Sequence, residues 1–146
     1  GYNYRTSDIN CALGLSQLGK LKKFVDHRRK LAAKYDELLA PLASLLEPIT
    51  RLAGCLPAWH LYPVLIDFDA AGITRADLMR RLHNKGIGSQ VHYIPVHRQP
   101  YYQERYGALS LPGADNFYNR CLSLPLFPAM NDQDVGRVVE SLFESR

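Results

Sequence analysis

The chain is short of the features that would assign it at once. Its three cysteines, Cys11, Cys55 and Cys121, are widely spaced, odd in number and without a CxxC. That excludes a zinc ribbon and disfavours a disulfide framework, so free thiols in a reducing cytoplasm are expected. No apolar run reaches the roughly 18–20 residues of a membrane span. There is no GxSxG, no P-loop and no GxGxxG, which removes the signatures of nucleophile-elbow hydrolases and of the common nucleotide folds. Repeats and low-complexity tracts are also missing. Acid is scarce between residues 20 and 34, where Lys20, Lys22, Lys23, Arg28, Arg29, Lys30 and Lys34 face only Asp26. A basic module for nucleic acid or another polyanion would use such a helix face. No RNA-binding or zinc-finger motif accompanies it, and a solvated face is the simpler reading.

What is present suits one globular domain with a real core: 146 residues, 47% hydrophobic, 22% charged, net charge +4. Thr6, Ser7 and Asp8 offer N-cap chemistry for a short helix over residues 7–17, with Ile9, Ala12 and Leu13 on one face. Gly14 costs that helix about 1 kcal/mol against alanine, so close packing against it is expected. From Leu21 an apolar period runs to Leu42, with Arg28 on the stripe, its stem packed and its head reaching a carboxylate or carbonyl. Pro41 ends this helix, and a loop containing Pro48, Gly54 and Pro57 follows.

Residues 59–68 alternate and are rich in β-formers, predicting a strand whose Pro63 marks an edge or a bulge. Thr74 caps a helix over 75–84 that buries Leu78, Met79 and Leu82. Residues 89–93 are expected as a second strand and 95–106 as a loop with a helical turn. A helix over 112–121, a strand over 122–125 and a last helix capped by Asn131 or Asp132 complete the pass. The class is α+β: a long N-terminal helix plus a small, mainly antiparallel sheet covered by helices.

Two stretches could carry chemistry. Residues 1–8 form a polar loop entering a helix N-terminus, a natural place for an anion, with Asn3 and Arg5 to grip it and Tyr2 and Tyr4 beside them. Residues 91–102 gather His92, Tyr93, His97, Arg98, Tyr101 and Tyr102 around two prolines just after a strand, where flat rings suit a sugar or base and His and Arg suit hydroxyls and phosphates. A metal site is not expected, because His92 and His97 are five apart and fall on opposite faces of a continuous strand. His92 is equally compatible with a buried structural role, and His97 and Arg98 with plain exposure. His27, His60 and His83 are read as lying inside regular elements, without function. Asp67 and Asp69 are expected to serve a turn. None of the six lysines has the apolar setting a Schiff base needs.

The segments GYNYRTSDINCALGLSQL, AWHLYPV, GIGSQVHYIPVHRQPYY and SLPLFP, with a leucine-rich helix carrying Arg28, Arg29 and Tyr35 between the first two, resemble the C-terminal part of the DegT/DnrJ/EryC1/StrS sugar aminotransferases. The resemblance covers nearly the whole chain in the family's order. It implies the small domain of the aspartate-aminotransferase fold type, with pyridoxal phosphate as cofactor and glutamate as amino donor. The VHYIPVHRQPYY and SLPLFP segments look most like members that aminate C4 of a UDP-4-keto-6-deoxy-N-acetylhexosamine on the pseudaminic acid route. By resemblance the parent is a cytoplasmic homodimer. Asn3 would reach the cofactor phosphate of the neighbouring subunit, Arg5 would neutralise phosphate or pyrophosphate, and His92 and Tyr93 would line the sugar pocket with Tyr101 and Tyr102 nearby.

The resemblance also divides the chain into an active-site loop and linking helix (1–19) and a small domain (20–146). It implies a segment of a longer protein, lacking the family's catalytic lysine and main phosphate cradle, so this chain alone is expected to be inactive and to hold the cofactor weakly or not at all. A relative with histidine in place of that lysine would be a sugar dehydratase, which these residues do not distinguish. Cys11 and Asp115 depart from the family's usual alanine and glutamate, and neither is expected to touch the chemistry.

Overall fold

The computed structural model describes Tyr2 and residues 4–143. Helix α1 (Asp8–Leu18) starts at Ser7, whose side chain accepts from the Asn10 amide at 3.4 Å. Helix α2 (Leu21–Leu39) is the backbone of the core, burying Leu31, Ala32, Tyr35 and Leu39 along one stripe. It ends in a 3-10 turn (Ala40–Leu42) that holds Pro41, three residues before the helix end expected from the apolar period. Arg28 packs half-buried as expected, but its Nε is buried without a hydrogen-bond partner, so the guanidinium is not fully satisfied.

The sheet has three antiparallel strands in the order β1 (Leu46–Pro48), β2 (Tyr62–Ile66), β3 (Cys121–Leu124). Strand β1 lies where a loop was expected. Only main-chain pairing with β2 defines it (Leu46 opposite Ile66), and three residues ending in proline carry no local period. Strand β2 is central, so Pro63 is neither at an edge nor in a bulge. Pro63 stands opposite Ser123, whose own N–H and C=O are both spent on Gln90 (2.8 and 3.2 Å). Pro63 therefore occupies a non-hydrogen-bonded pair. Its missing N–H points to the β1 side, one residue past the last β1 pair, Pro48 with Val64.

Register sorts the faces. Tyr62, Val64 and Ile66 meet Leu124, Leu122 and Leu46 on the core side. Helices α2, α3 (Arg75–Asn84) and α6 (Asp132–Phe143) close over them, joined by Leu78, Leu82 and Val135. Each fully buried Leu contributes about 1.5–3 kcal/mol. Thr74 caps α3 by accepting from the Asp77 amide at 3.1 Å, and Asn131 caps α6 by accepting from Gln133 and Asp134 at 2.8 and 3.1 Å. On the opposite face, α5 (Pro112–Arg120) lies against β2. The strand expected over 89–93 shrinks to one bridge, Gln90 with Ser123. A 3-10 turn (Val96–Arg98) and α4 (Pro100–Tyr106) follow it. No helix among the described residues is long and apolar enough to cross a membrane.

Candidate functional site

Tyr2 and Tyr4 are almost fully exposed with ring centroids 5.7 Å apart, and Arg5 is exposed as well. Asn3 lies outside the described residues. Helix α1 buries nothing: Ile9, Leu13, Leu15 and Leu18 all face outward, and a Cβ on Gly14 would meet no atom within 4 Å. The close packing expected at Gly14 is therefore not supplied by this chain. An apolar helix face left in water is a surface that something else should cover.

His92 of the second stretch lines a shallow, open cleft of about 340 Å³, together with His60, Gln90, Ser123 and Pro125 among others. Side chains alternate along a strand, so while Leu122 and Leu124 enter the core, Ser123 turns the other way. Its hydroxyl shares a hydrogen bond with His92 Nδ1 at 2.9 Å, on a residue only 5% exposed. That bond fixes the ring and leaves Nε2 without a hydrogen-bond partner among the described residues. A histidine held at one nitrogen and open at the other can exchange a hydrogen bond with a hydroxyl. Tyr93 packs edge-on to His92, centroids 4.7 Å apart, and is mostly exposed; the peptide between them is cis.

Tyr101 and Tyr102 stand apart on α4, with no ring contact to Tyr93 among the described residues. They pack edge to face at 5.2 Å, Tyr102 stacks on Tyr106, and Arg105 donates to the Tyr101 hydroxyl at 2.7 Å. The structure thus joins His92 with Tyr93 and Tyr101 with Tyr102, as two separate pairs. His97, compatible from sequence with plain exposure, is buried, and its Nε2 donates to Asp115 Oδ1 at 3.1 Å. Arg98 reaches the same oxygen at 2.6 Å. His60 is not inside a regular element; it precedes β2 and lines the cleft. Ser123, Gln90 and His60 were not singled out by sequence, since nothing local marks a residue that a distant strand brings to a site.

Elsewhere the readings are plainer. Asp67 accepts from the Ala70 amide at 2.9 Å, a turn bond as expected. On α2, Asp26 takes Lys22 at 2.6 Å and Arg29 at 3.6 Å, while Lys34 meets Glu37 at 3.0 Å. Hydrogen bonding from exposed Lys22 holds the Asp26 carboxyl below its usual range. These are i,i+3 and i,i+4 pairs on a solvated face. Cys11 and Cys55 are exposed free thiols, and Cys121 is a buried one whose pKa burial raises. No group of three potential metal ligands exists among the described residues.

With this geometry in view, the comparisons decide the relationship. The profile of the DegT/DnrJ/EryC1/StrS aminotransferase family matches residues 1–143. The chain belongs to this family. It is 39% identical over 145 residues to the spore coat polysaccharide biosynthesis protein SpsC of Bacillus subtilis (strain 168), covering 97% of this chain and 37% of SpsC. The fold matches PseC of Helicobacter pylori, described as an aminotransferase in pseudoaminic acid biosynthesis, at a TM-score of 0.87 and 32% identity over all of this chain and 40% of that one. It also matches the putative sugar aminotransferase Spr1654 of Streptococcus pneumoniae in its PLP-form, at 0.82 and 25% identity over 95% of this chain and 35% of that one. The chain thus spans well under half the length of these relatives.

Membership of the family raises the question of whether these residues suit pyridoxal phosphate. They do not make a site for it by themselves. No lysine lines the His92 cleft, and Lys34 of α2 is already paired with Glu37. The donors in the cleft are imidazole, amide and hydroxyl, a set suited to hydroxyls rather than to a Schiff base.

Proposed function

We propose that these residues are the small domain and linking helix of a pyridoxal-phosphate sugar aminotransferase, with residues 1–19 as the linking part and 20–146 as the domain. The reaction moves an amino group from glutamate to C4 of a UDP-4-keto-6-deoxy-N-acetylhexosamine, which is the work of a UDP-4-amino-4,6-dideoxy-N-acetyl-β-L-altrosamine transaminase on a pseudaminic acid-type route. The observation that carries this reading is the His92 cleft: in a chain of this family, an imidazole locked by Ser123 offers its free nitrogen beside the exposed ring of Tyr93. A flat ring next to a hydrogen-bonding imidazole is suited to a hexose face and its hydroxyls. In this proposal Tyr101 and Tyr102, a separate aromatic pair on α4, also contact the sugar nucleotide.

The enzyme is a cytoplasmic homodimer in this proposal. Asn3 and Arg5 serve the neighbouring subunit, Asn3 on the cofactor phosphate and Arg5 on phosphate or pyrophosphate. The bare apolar face of α1 accords with a helix covered by further protein. Bound cofactor supplies the electron sink; this chain's residues bind and orient the sugar. Nucleic acid has no part in this proposal: no nucleic-acid-binding motif accompanies the basic face of α2, where Lys22 and Arg29 pair with Asp26 and Lys34 with Glu37.

Two measurements test the reading. The complete enzyme, given glutamate and the 4-keto sugar nucleotide, should form the 4-amino sugar nucleotide; dehydration of the sugar in place of amination would refute it. The 146-residue chain alone should show no cofactor absorbance that borohydride fixes onto one lysine.

A further inference from the structure

The loop bearing His92 and Tyr93 is anchored at two ends, with exposed side chains between them. At one end, Ser123 takes the His92 ring and pairs its backbone with Gln90. At the other, His97 and Arg98 converge on a single oxygen, Asp115 Oδ1, at 3.1 and 2.6 Å. Between the ends, Tyr93, Ile94 and Val96 are 74%, 51% and 62% exposed. The second anchor is well built. The His97 side chain is 6% exposed and that of Asp115 24%, so the hydrogen bonds are sheltered from water. Asp115 sits in the first turn of α5, where the helix N-terminus favours a carboxylate. Tyr118, further along α5, lies under the Arg98 guanidinium at 5.6 Å and that of Arg75 at 4.7 Å. Arg75 in turn donates to the Tyr118 carbonyl, tying α3 to α5.

We infer that Asp115 is a positioning residue: it grips His97 and Arg98 so that the Tyr93–Ile94 apex is held in place beside His92. It touches no substrate. Its effect on the sugar passes through the loop, and in that respect the inference rests on the substrate reading above. Within the loop, Gln99 Nε2 donates to the Ile94 carbonyl at 3.2 Å, so movement of the anchor is carried to the apex rather than absorbed. The carboxylate is needed for its charge as much as for its shape, because one oxygen serves both a guanidinium and an imidazole.

The test uses the complete enzyme with Asp115→Ala, Asp115→Asn and Asp115→Glu, read by hydrogen exchange and by steady-state kinetics. The hydrogen-bonded amides of the loop, Arg98 to the Pro95 carbonyl at 2.9 Å and Gln99 to the Val96 carbonyl at 3.0 Å, should exchange about tenfold or more faster in Asp115→Ala, the size of change expected when charge-assisted hydrogen bonds are lost. Amides of β2 and β3 should keep their protection, Asp115→Asn should fall between, and Asp115→Glu should restore most of the effect. KM for the sugar nucleotide should rise by a similar factor while the rate of the glutamate half-reaction holds. Loop exchange that stays at the wild-type rate, or that quickens equally in β2 and β3, overturns the inference. If the loop responds as stated but the wild-type enzyme aminates no sugar nucleotide, the grip of Asp115 on the loop stands and the substrate reading is what fails.

Discussion

Asp36 provides the sharpest test of how the core is fastened. It projects from α2 and accepts from three donors: Arg51 Nη1 at 2.6 Å, Arg51 Nη2 at 2.5 Å and the Tyr62 hydroxyl at 2.6 Å. Tyr62 is 1% exposed, stacks on Tyr35 at 4.6 Å, and lies beside Trp59, over which Arg51 is placed at 4.5 Å. Asp36→Ala would leave a buried hydroxyl unpaired, a loss of about 1.5–3 kcal/mol for a bond to a charged acceptor. The Arg51 pair is a third exposed on each side, so it adds only about 0.5–1 kcal/mol despite its bidentate form. The expected destabilisation is about 2–4 kcal/mol by urea unfolding, with the slope unchanged. In a double-mutant cycle with Tyr62→Phe, the coupling should be about 1 kcal/mol or more, because neither change can cost the shared bond twice. Asp36→Ala within 0.5 kcal/mol of wild type, or strict additivity, would refute this account of the network.

Two more outcomes follow from the same geometry. Burial raises the Tyr62 phenol above its ordinary 10.0, with Asp36 adding to the shift, and burial likewise raises Tyr35, helped by Asp134. The native state therefore keeps these protons after the unfolded chain has lost them. Their stabilisation is intact below pH 10.0 and declines as pH rises beyond it. The loss is about 1.4 kcal/mol per pH unit for each group, and Tyr62→Phe should flatten the alkaline limb of a stability–pH curve by one such slope. An unaltered limb would count against it. Ser123→Ala should weaken sugar-nucleotide binding to the complete enzyme about fivefold, the worth of one hydrogen bond, while far-UV circular dichroism stays the same. Calorimetric affinity equal to wild type would show that His92 needs no such support.

The helices were legible in the sequence because their signals are local. Ser7, Thr74 and Asn131 act as the caps their residue types announce, and α3 runs over the span its period predicts. The β-elements were read less well, for one reason: pairing partners are far apart in the chain. Strand β1 has no period of its own, and Pro63 looks like an edge residue until the Ser123–Gln90 bonds show which side its missing N–H faces. The site divides in the same way. His92 and Tyr93 stand out in a stretch whose composition is unusual, whereas Ser123 and Asp115 carry no local mark, and His97 reads as a surface residue until α5 is laid over it.

Residue types at short spacing were enough to mark the family, most of the helix starts and the loop that bears the imidazole. That the imidazole is held by a strand serine, that a helix carboxylate grips the loop's far end, and that the apolar residues of α1 stay exposed emerge from the three-dimensional packing alone. Those facts depend on which residues distant in sequence meet in space. Short-range periodicity and capping chemistry do not encode that meeting; the β2–β3 register and the packing of α5 against the sheet do.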